Sequence, residues 1–562
     1  MQIKEDTVIK LLIKKGLITQ RQVDLAKEET KKTGLSLEKT FEKMGLLTEH
    51  DIASILAESM GVIYVNLDDY LIDPEMTKYV PEDFARKHMV IPLFKVGDTL
   101  TVAMVNPKDI LTIDELRLKS RVGSIDPVLS AENQIKKAIE EYYGVTGTVE
   151  DVISAISPGR PAPSAAEGVD ARLLEKEADQ APVVKLVNMI ISQAVKERAS
   201  DIHIEPEEDK LRIRFRVDGT LRETSTLSKN LQSIVTSRVK IMSKMDISET
   251  RKPQDGRVQL KMEDRRLDLR VSSFPTIHGE NIVIRILDKS TYLISLNDLG
   301  IREKECEQYG RLIKSPYGIM LVTGPTGIGK TTTLYASIAA INSMELNIIT
   351  IEDPVEYEMP LIRQTQVNPK AGLTFATGLR AILRQDPDVI MVGEIRDKET
   401  AEIAIQASLT GHLVLSTLHT NDAPGSVARL IDMGIEPFLI ASSIIGVLSQ
   451  RLVRVICREC KESYKPQKEL LRDLGIKEDT VFYRGKGCKA CKNSGYMGRI
   501  GIFEFMPFSE EIKKLVVARA QADRIRSLAT EEGVRTLRAD GLEKAKKGIT
   551  TIEEVLRVTG ET

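Results

Sequence analysis

A glycine-rich segment that ends in lysine and threonine is the most informative chemical pattern in this sequence. It reads Gly324-Pro325-Thr326-Gly327-Ile328-Gly329-Lys330-Thr331, followed by Thr332. Glycines at this spacing let backbone N–H groups turn toward phosphate oxygens, while Lys330 can neutralise the β- and γ-phosphates and the Thr331 hydroxyl can ligate Mg²⁺. An apolar run at 319–323 precedes the segment and a helical pattern at 332–340 follows it. The pattern therefore predicts a site for ATP and Mg²⁺, with a chance glycine-rich turn as the alternative.

Two apolar runs further along the chain end in carboxylates. Residues 349–354 carry Glu352 beside Asp353, and residues 388–394 end in Glu394. Parallel strands bring their carboxyl ends to one edge of a sheet, where a nucleotide binds. One carboxylate is expected to hold hydrated Mg²⁺ and another to orient or deprotonate the attacking water. The sequence leaves open which acid does which, and either could instead cap a helix.

A fourth apolar run, at 413–416, is flanked by His412 and His419. A polar side chain at the carboxyl end of such a strand could sense the γ-phosphate. A purely structural histidine is the alternative.

The cysteines predict a second chemical site. Four of the five cysteines form two pairs, Cys457-x-x-Cys460 and Cys488-x-x-Cys491, separated by 27 residues. Two such pairs can surround Zn²⁺ with four thiolates, which is a closed, structural arrangement. Two unrelated thiol pairs or a redox dithiol are the alternatives.

The elements that must position these residues imply several domains, because 562 residues are too many for one core. Residues 1–143 predict a helical and mixed domain: a repeat around Gly16 and Gly45 is expected to end helices at glycine and to start them at Thr19 and Thr48. The other expected parts are a flexible Pro/Ser/Ala-rich linker at 144–180, an α+β domain at 181–295, and an α/β domain at 296–562 with a cysteine insertion at 455–495.

Composition limits the function. Lys plus Arg is 80, Asp plus Glu is 82, and aromatic residues are 4%, which argues against a dedicated nucleic-acid binder. The charged amino terminus does not resemble a signal peptide, and no run of about 18 uncharged apolar residues occurs. We expect a cytoplasmic protein that reaches a membrane only through partners.

Taken in order, these motifs resemble the GspE/PulE superfamily of secretion ATPases, the motors of type II secretion and of type IV pili. The resemblance covers essentially the whole chain and rests on four segments: the phosphate loop, 351–357, 379–394 and 412–422. It implies a RecA-like ATPase domain, a preceding α+β domain of PAS-like type and an N-terminal domain, assembled as a homohexamer. It also implies that ATP lies between the α+β and RecA-like domains and that hydrolysis rotates one against the other.

The same resemblance assigns residues. It implies catalytic roles for Glu352, Glu394 and His419, and it implies that Arg257 and Arg270 supply arginines to the nucleotide. Without the family, these two arginines read as solvated strand or turn residues. The family usually has serine where this chain has Ile328, which is not a required phosphate ligand.

The cysteines and the N-terminal domains resemble the pilus-extension branch, with the type II secretion ATPase as the alternative. An inner-membrane platform protein and its cytoplasmic adaptors are the implied partners. The N-terminal repeat resembles a domain that binds cyclic di-GMP in some relatives, but the Arg and Gln of that pattern are replaced, the Gln by Thr30 and Ser59. We therefore do not expect cyclic di-GMP binding. A nucleic-acid translocase and a nucleotide-gated scaffold or second-messenger receptor are the competing hypotheses.

Overall fold

Hydrophobic residues of this chain gather into several separate cores. In a computed structural model, the structure describes residues 5–34, 37–143, 178, 180–263, 265–289 and 294–560. The chain divides into two units, Met1–Ser290 and Thr291–Thr562. Within the described part, every helix is too short or too polar to cross a membrane. Nearly all of the predicted linker at 144–180 lies outside the described residues.

Four helices open the first unit. They are α1 (Glu5–Lys14), α2 (Gln20–Thr33), α3 (Leu37–Lys43) and α4 (Glu49–Met60). Thr19 and Thr48 each cap the helix that follows through a capping box, and Gly16 and Gly45 have φ of 72° and 66°. The left-handed conformation at these glycines ends the preceding helices, as the repeat predicted.

A small mixed α/β part follows. Its elements are α5 (Glu82–His88), β1 (Val90–Val96), β2 (Thr99–Met104), α6 (Ile110–Ser120), β3 (Ser124–Leu129) and α7 (Glu132–Tyr143). β1 and β2 pair antiparallel, whereas β2 and β3 pair parallel, with α6 in the connection. This part of the chain therefore contains both strands and helices.

The rest of the first unit is an antiparallel sheet with two helices. The elements are α8 (Ala181–Lys196), β4 (Ala199–Pro206), β5 (Lys210–Val217), β6 (Thr220–Ser228), α9 (Gln232–Met242), β7 (Gln254–Met262), β8 (Arg265–Thr276) and β9 (Gly279–Asp288). The strand order is β6-β5-β4-β9-β8-β7. Leu211, Ile213 and Phe215 on β5 are buried. The alternation along β5 thus places its apolar face on the core, as a half-buried strand requires.

The second unit is built on a seven-stranded, mainly parallel sheet. Its first elements are α10 (Glu303–Leu312), β10 (Gly318–Thr323), α11 (Lys330–Ile341), β11 (Ile348–Glu352), β12 (Arg363–Gln366), α12 (Phe375–Ile382), β13 (Val389–Val392), α13 (Lys398–Leu409), β14 (Leu413–Leu418), α14 (Ala423–Asp432) and α15 (Pro437–Ser443). The remaining elements are β15 (Ile444–Ile456), β16 (Lys461–Tyr464), α16 (Lys468–Asp473), β17 (Phe482–Gly485), β18 (Tyr496–Pro507), α17 (Glu510–Val517), α18 (Ala522–Glu531), α19 (Leu537–Lys546) and α20 (Ile552–Thr559).

The order of this sheet is β12-β11-β13-β14-β10-β15-β18, and only the β15–β18 pair is antiparallel. Alternate residues of β10 belong to two different hydrophobic cores. Ile319 and Leu321 lie in one core, and Met320 and Val322 lie in the other. A strand covered on both faces must be continuously apolar, which is why these strands could be recognised in the sequence. The carboxyl ends of β10, β11, β13 and β14 define one edge of the sheet, where the glycine-rich loop and the predicted strand-end residues lie.

Candidate active site

The glycine-rich loop lies between β10 and α11, as its sequence context predicted. Gly324, Gly327 and Gly329 have φ of 142°, 79° and 85°, a region in which residues with a Cβ are strained. At Gly324 an added Cβ would lie 2.7 Å from the backbone oxygen of Gln450. Glycine is therefore required at Gly324 by backbone angle and by space, and the loop can curl around an anion at the start of α11.

Lys330, the first residue of α11, folds back onto the loop. Its Nζ donates to the backbone oxygens of Gly324 at 2.7 Å and Pro325 at 3.0 Å. The residue is only 9% exposed. Burial lowers the pKa of Lys330 to about 8; Glu394 opposes this shift and Arg451 adds to it. The ammonium group is thus held over the mouth of the loop, where phosphate oxygens could replace the two carbonyls as its partners.

Glu394 lies two residues beyond the end of β13 and carries the second charge of the site. Its carboxylate accepts from Arg396 at 2.5 Å and from His419 Nε2 at 3.2 Å. Burial would raise the pKa of Glu394, but the pairs with Arg396 and His419 outweigh burial and hold the pKa below its usual value. A carboxylate that stays ionised at neutral pH can accept a hydrogen bond from water or bind a hydrated cation.

His419 connects these two charged groups. Its Nδ1 lies 3.5 Å from Lys330 Nζ, and its Nε2 lies 3.2 Å from Glu394. Because a carboxylate only accepts, Nε2 must carry the proton, which leaves Nδ1 to face the lysine. His412, at the other end of β14, instead bonds to the backbone oxygen of Ala407 at 2.9 Å. Of the two histidines, only His419 lies at the phosphate loop.

Glu352 ends β11 in a buried set of hydrogen bonds. The residue is 2% exposed. Its carboxylate accepts from Tyr335 at 2.5 Å, Thr350 at 2.6 Å and Gln364 at 3.2 Å, and burial and this carboxylate raise the pKa of the Tyr335 hydroxyl. Three donors therefore occupy the group that the sequence predicted as a partner of water or Mg²⁺. In this arrangement Glu352 fastens β11 to α11 and β12.

Arg257 and Arg270 belong to the first unit and lie opposite each other on β7 and β8. Arg270 in turn lies opposite Arg285 on β9. Directly opposed residues share a face of the sheet, so the three form a row of cations, which repel unless acids or a bound anion offset them. Arg257 donates to Asp268 at 2.6 Å and Arg285 donates to Asp201 at 3.1 Å. Sequence reasoning missed Arg285, because its place in the row depends on strand register.

The four cysteines meet at one point of the second unit. All four Sγ atoms lie within 4.8 Å of one another, and Cys457–Cys488, Cys460–Cys491 and Cys488–Cys491 are separated by 3.8, 3.8 and 3.7 Å. A tetrahedral ion with bonds of about 2.3 Å needs sulfur atoms about 3.8 Å apart. The backbone N–H groups of Cys488 and Gly495 also donate to Cys491 Sγ at 3.2 and 3.3 Å. Burial would raise the pKa of Cys491, but these donors lower it to about 6. The donor set and its spacing fit Zn²⁺.

A buried parallel sheet with a glycine loop, a lysine at a helix start and an ionised acid on a neighbouring strand end defines a phosphate-loop ATPase. Residues 176–557 match the family described as type II/IV secretion system protein, and residues 60–149 match the MshEN domain. The chain belongs to this family of secretion and pilus ATPases. ATPases of this family use ATP with Mg²⁺.

Two curated relatives match along almost the whole chain. The type IV pilus assembly ATPase PilB of Myxococcus xanthus is 44% identical over 554 residues, 97% of each chain. The type II secretion system protein E of Xanthomonas campestris pv. campestris is 41% identical over 565 residues, 99% of this chain and 98% of the relative. Among solved structures, the Yersinia pseudotuberculosis ATPase DotB aligns with a TM-score of 0.51 at 22% identity, covering 67% of this chain and 93% of that chain. This likeness shows a shared fold.

Proposed function

We propose that this chain is the ATPase that powers type IV pilus extension and that six identical copies form the working ring. The observation that carries the proposal is the 44% identity to a pilus assembly ATPase along 97% of both chains. A likeness confined to the nucleotide-binding part would not indicate which machine the ATPase drives. Here the likeness also includes the N-terminal parts, through which a motor of this family can bind its own machine.

At the nucleotide, Lys330 exchanges the carbonyls of Gly324 and Pro325 for oxygens of the β- and γ-phosphates. Thr331, exposed at the start of α11, is the hydroxyl ligand for Mg²⁺, which when bound offsets the charge of the triphosphate. Glu394 stays ionised and orients the attacking water. It accepts the proton of the water as the water oxygen bonds to the γ-phosphorus and the bond from that phosphorus to the bridging oxygen of ADP breaks, which releases ADP and phosphate. His419, between Lys330 and Glu394, senses whether the lysine has turned to the phosphate.

The geometry favours Glu394 over Glu352 as the general base. The Glu394 side chain is 15% exposed and pairs with Arg396 and His419, whose own side chains are partly exposed. Glu352 is only 2% exposed and is buried behind Tyr335. A base must reach the water from which it takes a proton. Glu352 then acts by holding the strand end that presents Asp353.

Arg257 and Arg270 keep their predicted role, and the row they form with Arg285 supports it. Asp268 and Asp201 pair with Arg257 and Arg285, and three cations on one sheet face beside two acids still favour an anion such as a phosphate. Arginine suits this task because its guanidinium remains charged and binds phosphate in a bidentate manner.

The ring works in the cytoplasm, where ATP is supplied, and acts on an inner-membrane platform protein and its adaptors. The N-terminal repeat does not bind cyclic di-GMP, and the chain does not act on nucleic acid. Two hydroxyls support the first statement: Thr30 donates to Thr40 at 3.1 Å and Ser59 to the backbone oxygen of Leu56 at 2.7 Å. The residues that replace the ligand-binding glutamines are thus engaged within the domain. A calorimetric titration with cyclic di-GMP that showed tight binding would overturn this statement.

A type II secretion ATPase is the second candidate, because the Xanthomonas relative also matches along the full length of this chain. Complementation separates the two. The gene is placed in one strain that lacks its pilus extension ATPase and in another that lacks its secretion ATPase, each together with the cognate platform gene. We expect surface pili and no rescued secretion, and Lys330→Ala should abolish the pili. Restored secretion without pili would replace the pilus assignment with the second candidate.

A further inference from the structure

Gln450 is a buried polar residue in the middle of β15, next to the phosphate loop. It is 2% exposed and follows a stretch, 437–449, without a charged side chain. A buried amide is costly unless all of its polar atoms are hydrogen-bonded. Its partners therefore indicate what this side chain does.

Both ends of the Gln450 amide bond to the phosphate loop or to the helix that follows it. Nε2 donates to the backbone oxygen of Ile328 at 2.7 Å, and Oε1 accepts from the Thr333 hydroxyl at 2.7 Å. The Ile328 contact fixes the orientation of the amide, because a carbonyl oxygen only accepts and must therefore face the NH₂ group, which leaves Oε1 to accept from the Thr333 hydroxyl. Gln450 thus joins β15 to the loop on one side and to α11 on the other.

The bond to Ile328 sets the direction of one peptide group of the loop. In a trans peptide, the C=O of one residue and the N–H of the next point in opposite directions. Because the Ile328 oxygen is directed at β15, the N–H of Gly329 is directed away from β15. Gly329 has φ of 85°. Because glycine adopts many backbone conformations, a contact from outside the loop is needed to hold this peptide in one orientation.

Arg451, the residue after Gln450, makes a similar connection from β15 to a second loop. Arg451 donates to the backbone oxygen of Asn421 at 2.9 Å and to its side-chain oxygen at 3.2 Å. Asn421 follows His419 by two residues, in the segment that leaves β14. Gln450 and Arg451 therefore connect the phosphate loop and the segment after β14 to the same strand, β15.

We propose that Gln450 is a positioning residue for phosphate binding: it holds the Ile328–Gly329 peptide so that the Gly329 N–H faces the phosphates before nucleotide arrives. Without it the peptide can rotate, and binding must then restore the orientation at a cost in affinity. This inference rests on the assignment of 324–331 as the phosphate site.

Gln450→Met tests the inference, because methionine keeps the length of the side chain and removes both hydrogen bonds. We expect the Kd for ADP, measured by calorimetry, to rise about tenfold. The KM for ATP should rise in parallel while kcat stays within about threefold. Gln450→Glu should weaken binding further, because a carboxylate cannot donate to the Ile328 oxygen and adds negative charge near the phosphates.

Thr550→Val is the matched control. Thr550 is buried and donates to the backbone oxygen of Arg454 on the same strand at 2.8 Å, so its loss removes one hydrogen bond to β15 away from the loop. Its Kd should equal that of the wild type. Gln450→Met with wild-type affinity, or Thr550→Val with an equal loss, would overturn the inference. Where Gln450→Met unfolds below the assay temperature, Thr333→Val removes the hydrogen bond that holds Oε1 of the same amide, so the Kd for ADP should rise by a smaller factor. Wild-type protein that fails to bind ADP would instead overturn the site assignment.

Discussion

Nucleotide affinity should depend on pH through Lys330, because this lysine is held partly dehydrated in the free protein. Burial lowers its pKa to about 8, and only the ammonium form attracts phosphate. Below this pKa the site is ready; as the pH rises through 8, the uncharged amine accumulates and affinity is lost. A pKa of about 8 leaves about nine-tenths of Lys330 charged at pH 7 and about one-tenth at pH 9. The Kd for ADP should therefore rise about tenfold over these two pH units.

The assay is isothermal titration of magnesium-free ADP at constant ionic strength from pH 6.5 to 9.5. Bound phosphate raises the pKa of the ammonium group, so binding at pH 8 should take up about half a proton per site. Titration in two buffers of different ionisation enthalpy measures this uptake, which should be near zero at pH 6.5. Circular dichroism across the same range checks that the chain stays folded.

The Glu394→Gln variant tests the direction of the electrostatic effect on Lys330. The Glu394 carboxylate opposes the lowering of the Lys330 pKa, so its neutral isostere should move the loss of affinity to lower pH. A Kd that stays constant from pH 7 to 9.5, with no proton uptake at pH 8, would refute the reasoning about Lys330. A shift of the Glu394→Gln profile to higher pH would refute the assigned sign.

Three further predictions concern the other parts of the molecule. Cys460→Ser should reduce bound zinc from about one ion per chain, measured by atomic emission, and lower the unfolding temperature of the second unit but not of the first. Arg270→Gln should lower kcat for ATP by about 10³-fold or more in a steady-state assay, while the Kd for ADP changes little. Tyr335→Phe removes a donor from the buried Glu352 carboxylate, so it should cost about 1–3 kcal/mol of stability in urea unfolding and leave kcat within about tenfold.

Each of these three predictions has a matched control in the chain. Cys306→Ser changes a cysteine outside the cluster, Arg265→Gln an arginine on the same strand as Arg270, and Tyr317→Phe a tyrosine that is 60% exposed. The controls should behave as the wild type. Wild-type zinc content in Cys460→Ser, equal kcat losses in the two arginine variants, or a Tyr335→Phe protein as stable as Tyr317→Phe would contradict the corresponding prediction.

Much of the second unit could be predicted from local pattern. Strands β10, β11, β13 and β14 are buried along their whole length and mainly apolar because both faces of the sheet are covered, so they can be recognised in the sequence. The phosphate loop is likewise local, since Gly324, Lys330 and Thr331 lie on one short segment. The two cysteine pairs could also be recognised from their spacing, because the two cysteines of each pair lie on one turn.

What escaped prediction depends on contacts between distant segments. Arg285 joins Arg257 and Arg270 only through the register of β7, β8 and β9, which alternation along one strand does not fix. Gln450 on β15 contacts Ile328 in the loop that follows the neighbouring strand β10. Its one visible signal was a polar side chain at the end of a long apolar run.

Glu352 shows a different limit. Its position at a strand end places it at the sheet edge that carries the phosphate loop, but the sequence could not show that Tyr335, 17 residues earlier on α11, donates to its carboxylate. Two acids at equivalent strand ends therefore looked alike in sequence. Their surroundings separate them, because Glu394 is ionised beside His419 whereas Glu352 is buried among donors.

The most direct test of the account is the steady-state ATPase rate of assembled rings of Glu394→Gln beside Glu399→Gln, an exposed glutamate on α13 that pairs with Arg380. We predict that Glu394→Gln loses at least about 10²-fold in kcat while it still binds magnesium–ATP, and that Glu399→Gln turns over at the wild-type rate. A Glu394→Gln ring that hydrolyses ATP within about threefold of the wild type would contradict the placement of the reaction at this edge of the sheet.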